Sequence, residues 1–167
     1  MAVLDPELDV AVAAMVAEDA RFVVIGGFAV IANRFIRATE DIDFLVPDDT
    51  ENDRRVFGAL IELNGVRLRD EAPLRLDHLL DQTHLRAKTS AGVIDIMRGG
   101  LPPLDYETVA KRAIHADYGG ASFLVASLRS IVGFKRLADR PQDRNDLIGL
   151  TRIHGELPIE PIPGLDS

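Results

Sequence analysis

The chain has 167 residues and no cysteine, which excludes a disulfide framework and any thiolate metal site. Its four histidines, His78, His84, His115 and His154, follow no recognised ligand spacing, so a zinc centre is not expected. No basic segment leading into an apolar one opens the sequence, and no apolar run approaches ~18 residues. That implies a soluble, unexported, cytoplasmic protein with no membrane contact. Internal repeats and low-complexity domains are missing as well.

Also missing is an excess of positive charge. The formal net charge is -8, which argues against a sequence-independent nucleic-acid binder with a globally basic face. The charge is uneven, however. Acids crowd residues 5–19 and 38–53, while Arg129, Lys135, Arg136, Arg140, Arg144 and Arg152 gather near the C-terminus. A local basic surface opposite a carboxylate cluster fits that distribution, and so do ordinary solvated helix faces.

What the chain does have is an ordinary globular composition, 47% hydrophobic and 28% charged, enough for one packed domain. Asp5-Pro6 reads as a helix start, followed by an apolar stripe at Leu8, Val12, Met15 and Val16. Phe22 to Ile25 reads as a buried strand, stopped by Gly26-Gly27. Phe28 to Ile36 then reads as a largely buried helix, and 37–40 as its return. In the next stretch Ile42, Phe44 and Val46 alternate with Asp41, Asp43 and Leu45, which on a strand puts both aspartates on one face. If this strand runs antiparallel to the first, helix and return lengths bring Asp41 back beside the glycines.

Further along, a helix is expected from about Glu51 to Leu63, and a short strand at 66–69. A hairpin is expected from His84 to Met97 around Ser90-Ala91-Gly92. Asp95 interrupts the run V-I-D-I-M, either as a rim carboxylate facing water or as a third acid aimed where Asp41 and Asp43 point. Asp105 and Ser127 are candidate helix caps, and 113–126 suggests a second hairpin around Gly119-Gly120. The last helix should run from about Gln142 to His154. The tail beyond it, with three prolines, should be extended or loosely ordered.

Three aspartates on two strands beside a Gly-Gly helix entry suit metal-assisted phosphoryl or nucleotidyl transfer. Mg2+ takes one or two hard carboxylates together with phosphate oxygens, and a pair of ions can stabilise both oxygens of an in-line displacement. Glycines let backbone N–H groups approach phosphate at a helix start. Two same-face acids this close repel unless something positive sits between them.

The segments G-G-F-A-V (26–30), T-E-D-I-D-F-L-V (39–46) and F-K-R-L-A-D-R-P-Q-D-R-N-D-L (134–147) carry a resemblance. They resemble the polymerase-β-like nucleotidyltransferase superfamily, in the bacterial branch of AbiEii-type toxins and small antibiotic nucleotidyltransferases. The resemblance implies an α/β (α+β) fold with a mixed β-sheet nucleotidyltransferase core flanked by helices. The core would span 1–126, a C-terminal helical segment packed on it 127–156, and a Pro-rich tail 157–167.

It also implies an NTP donor, Mg2+ as cofactor, and transfer of an NMP to a hydroxyl of an RNA (tRNA), protein or small-molecule acceptor. Asp41 and Asp43 would match the metal-binding pair, and Asp95 the third catalytic and metal-binding carboxylate. Gly26 and Gly27 would match the phosphate-cradling turn, where many members have Gly-Ser. Lys135 would match a basic residue reaching the triphosphate, with Asp143 and Asp146 supporting it. Arg37 and Thr39 could contact phosphate or merely pair within the return loop, and Lys135 could equally form a surface pair with Asp139. Within the toxin reading, a cognate antitoxin is expected. The alternative is a non-catalytic nucleotide-binding regulatory module of the same fold, and a purely structural protein would bind no nucleotide at all.

Overall fold

The computed structural model describes residues 6–80 and 83–166. One mixed sheet of seven strands, in the order β3-β4-β5-β2-β1-β7-β6, runs through the molecule. Its centre is β1 (Val23–Ile25), β2 (Asp41–Val46) and β5 (Gly92–Arg98). β1 and β2 are antiparallel, with Ile25 opposite Asp43, as the site at the Gly-Gly turn requires. β2 and β5 are parallel, and Asp43 lies opposite Asp95. The expected hairpin is β4 (His84–Thr89) with β5, and Arg86 is the cross-strand partner of Asp95. The second hairpin, β6 (Ile114–Tyr118) and β7 (Ala121–Val125), joins the same sheet through a parallel pairing of β7 with β1. A two-residue β3 (Val66–Arg67) edges the other side.

The buried residues follow the sequence pattern on β2, whereas Val16 of the first apolar stripe and Ile36 are exposed. Ile42, Phe44 and Val46 are fully buried, and Phe44 meets Phe22 edge-on at 5.1 Å between ring centres, a favourable aromatic geometry. α1 (Leu8–Ala17) and α3 (Thr50–Glu62) pack on each other and contribute Val12, Met15, Val56 and Leu60 to that core. Asp49 caps α3 by accepting from the Glu51 amide, and Asp105 and Ser127 cap α5 (Tyr106–Arg112) and α6 (Leu128–Ala138) as expected. A four-residue α4 (Asp77–Leu80) lies against α3.

Two helix bounds are corrected and the reading of the tail is sharpened. Pro6 is not the first helical residue: α1 starts at Leu8, after Glu7, whose amide is drawn off to the Ala91 carbonyl; Asp5 lies outside the described residues. The helix after the glycines, α2, runs Gly26–Ala32 rather than 28–36, because Arg34 takes a left-handed φ of 84° that breaks it. Its return is correspondingly longer. The tail beyond α7 (Pro141–His154) is extended but docked: Ile162 is buried against Gly133 on α6 and Leu104. Glu160 pairs with Arg112, and Asp166 with Arg136 at 2.6 Å. One apolar anchor and two ion pairs hold the tail in the extended form that its proline content allowed. No described helix is long and apolar enough to cross a membrane.

Candidate active site

An open cleft of about 940 Å³ lies over the ends of β1, β2 and β5 and is closed on the far side by α6 and α7. All eight residues picked from the sequence line it: Gly26, Gly27, Arg37, Thr39, Asp41, Asp43, Asp95 and Lys135. Asp95 is therefore no stray rim acid. It is nine-tenths buried and shares a row of the sheet with Asp43 on one side and Arg86 on the other.

The two glycines have a role that the sequence pattern did not foreshadow. Gly26 has φ +67°, and a Cβ there would lie 2.7 Å from Cγ of Asp43. A Cβ on Gly27 would lie 2.8 Å from Cβ of Thr39 and 3.2 Å from the Arg37 guanidinium. Side-chain-free backbone is what lets the return loop and Asp43 close onto the turn. Thr39 Oγ1 donates to the Asp41 carbonyl at 3.2 Å, fixing the entry to β2.

On the carboxylate wall, Asp43 is pushed up to about 7, first by burial and then by the charge and hydrogen bond of Asp95. Asp41 is raised as well, by burial and by Asp95, against the pull of Arg86. Arg86, which sequence reasoning passed over, donates from Nε to Asp95 at 2.7 Å and from Nη2 to Asp41 at 3.1 Å. Its signal was available: a basic residue on the strand paired with V-I-D-I-M, placed to meet Asp95.

The opposite wall is a buried ionic network. Lys135 Nζ lies 3.0 Å from Asp143 and 2.9 Å from Asp146, with both carboxylates essentially inaccessible to solvent. The surface pair with Asp139 does not form; Asp139 adopts φ 50° at the end of α6 and pairs with Arg144 at 2.8 Å. Arg37 grips Asp146 with both arms, at 2.6 and 2.9 Å, and Arg140 holds Asp143 at 2.8 Å. Burial alone would raise Asp143 and Asp146, but these hydrogen bonds outweigh it and both lie below the ordinary carboxylate range. Two buried acids thus present Lys135, Arg37 and Arg140 along one side of the cleft. The charge of Lys135 reaches far enough to lower Asp43.

The donor set on the other side fits a hard divalent cation. Asp43 has no cation within ion-pair distance among the described residues, although two acids crowd it. As they stand, no three described His, Asp or Glu side chains close into a ready-made metal cluster, and Arg86 spans Asp41 and Asp95 instead.

Residues 10–147 match the family model described as nucleotidyl transferase AbiEii toxin, type IV TA system. No curated protein sequence matches the chain. Among solved structures, ANT(2'')-Ia in complex with adenylyl-2''-tobramycin is similar at 15% identity and a TM-score of 0.60, over 89% of this chain and 87% of that one. The solution structure of the antibiotic-resistance factor ANT(2'')-Ia gives 16%, 0.61, 89% and 82%. An antigenic nucleotidyltransferase-like protein from Paracoccidioides brasiliensis gives 14%, 0.55, 89% and 78%. At these identities the likeness is one of fold.

Proposed function

The chain belongs to the AbiEii nucleotidyltransferase family, and from that premise we propose that it transfers an NMP from an NTP to an acceptor hydroxyl with Mg2+ as cofactor. The observation that carries the reading is one cleft with Asp41, Asp43 and Asp95 on one wall and Lys135, Arg37 and Arg140 on the other. The acceptor oxygen attacks the α-phosphorus, the bond from that phosphorus to the bridging oxygen breaks, and pyrophosphate leaves. Asp95 takes the hydroxyl proton. Asp41, Asp43 and Asp95 would hold the metal, which supplies Lewis-acid stabilisation of the developing phosphate charge. Lys135, Arg37 and Arg140 neutralise the leaving pyrophosphate, and their buried acids keep them in place beforehand, so little reorganisation is needed. The backbone amides of Gly26 and Gly27, at the start of α2, would cradle the phosphates.

The acceptor is an RNA such as tRNA, a protein side chain or a small molecule. The family description adds a toxin role with a cognate antitoxin, and the structural likeness to an enzyme bound to an adenylylated antibiotic keeps the small molecule in contention. Incubation with each labelled NTP, Mg2+ and total RNA or cell lysate tests the reading. Label carried by a product, with pyrophosphate released, supports it. Metal-dependent NTP binding without pyrophosphate release across a broad acceptor screen would replace it with the regulatory nucleotide-binding module.

A further inference from the structure

Arg86 lies beside the cleft and pairs with two of its carboxylates, a feature that nucleotidyl transfer does not by itself account for. It projects from β4 on the row that Asp43 and Asp95 occupy, because antiparallel partners across a ladder share a face and Arg86 is opposite Asp95. From there the planar fork reaches over two strands, bonding Asp95 through Nε and Asp41 through Nη2. Among the described residues it is the one cation within ion-pair distance of Asp41, and it shares Asp95 only with His84, 4.0 Å away. The side chain is 48% exposed, so it is anchored by these two carboxylates rather than by packing. Beside it lies a second cavity, about 280 Å³, lined by Arg67, Arg69, His78, His84 and Arg86 itself. That space can receive the guanidinium if it leaves the carboxylates.

Resting on the nucleotidyltransferase reading above, we propose that Arg86 is an internal counter-cation that competes with the divalent metal for Asp41 and Asp95 and so sets the metal affinity of the nucleotide-free site. The guanidinium holds lone pairs on two of the three carboxylates that a hard cation would use. It also cancels one of their charges. With Arg86 in place a metal alone is held weakly, and the additional phosphate oxygens of an NTP tip the exchange. Metal and nucleotide then load together, with Arg86 turned toward the neighbouring cavity.

The test is Mn2+ titration of the nucleotide-free full chain, followed by electron paramagnetic resonance, for wild type, Arg86→Gln and Arg86→Lys. Arg86→Gln should bind Mn2+ about tenfold more tightly than wild type, the order expected from removing a half-exposed charge from a carboxylate cluster. Arg86→Lys, which keeps a charge but loses the fork, should fall between them. Unchanged affinity in Arg86→Gln overturns the proposal, and weakened affinity assigns Arg86 instead to holding the carboxylates in the geometry that a metal needs.

Should the glutamine variant fail to fold, the Arg86 Nε–H resonance of the wild type serves in its place. It should shift on adding Mg2+ with a non-hydrolysable NTP analogue, and an unshifted resonance at saturation overturns the proposal. If wild type and variants take up no Mn2+ even with the analogue, the nucleotidyltransferase reading fails with it. Metal uptake that is indifferent to Arg86 sinks this inference alone.

Discussion

Replacing Asp43 by Asn should make the metal-free protein more stable, and increasingly so as pH rises. The carboxyl is pushed from 3.8 to about 7 by burial and by Asp95, so in the folded state the proton is held more tightly than in the unfolded chain. A raised acid contributes stability that is fully present below the unfolded value and lost as pH climbs through the folded one. Between 3.8 and about 7 the wild type should therefore lose about 1.4 kcal/mol of stability per pH unit from this group. The loss totals at most about 4 kcal/mol, because it accrues only across that interval. Asn has no such proton to lose, and it can mimic the protonated acid beside Asp95. The assay is urea denaturation of wild type and Asp43→Asn in chelator at several pH values. The variant's advantage should be small near pH 4, grow to a few kcal/mol by pH 7 and then level off. Mg2+ added at pH 8 should stabilise the wild type and leave the variant unmoved. A stability gap that does not change with pH would refute the claim that Asp43 is held against its charge.

Other perturbations separate the two walls from the scaffold. Lys135→Met leaves Asp143 and Asp146 buried with Arg37, Arg140 and Gln142 as their remaining side-chain partners, and should cost about 3 kcal/mol in urea denaturation, with transfer activity lost. Gly26→Ala forces a Cβ against Asp43 from a left-handed φ. It should cost about 2 kcal/mol and weaken Mn2+ binding measured directly. Ile162→Ala removes the buried anchor of the tail and should cost about 2 kcal/mol while kcat stays at the wild-type value.

The carboxylate wall was legible because strand alternation is strict. Once Asp41 and Asp43 were read on a strand, only the pairing of β2 with β5 was needed to bring in Asp95, and the V-I-D-I-M pattern marked it. The antiparallel turn at Gly26-Gly27 followed from chain length, even though α2 is shorter and its return longer than the pattern suggested. The basic wall was only half legible. Lys135 and its two acids lie within one helix-turn-helix stretch, but the choice of Asp143 and Asp146 over Asp139 depends on the left-handed break at Asp139, which helical spacing does not reveal. The grip of Arg37 on Asp146 spans 109 positions, and no local pattern announces it. Arg86 was missed because a lone arginine on an edge-side strand looks like surface. The docking of the extended tail was not legible because proline content describes local stiffness and says nothing of where Ile162 packs.

The most direct measurement is pyrophosphate release from each of the four NTPs with Mg2+ and cell lysate, comparing wild type with Asp43→Asn and Asp95→Asn. A site that works through Asp43 and Asp95 predicts release by the wild type with a preferred NTP, and a fall of roughly a hundredfold or more in both folded variants, about 3 kcal/mol of transition-state stabilisation. Undiminished release in either variant would contradict it.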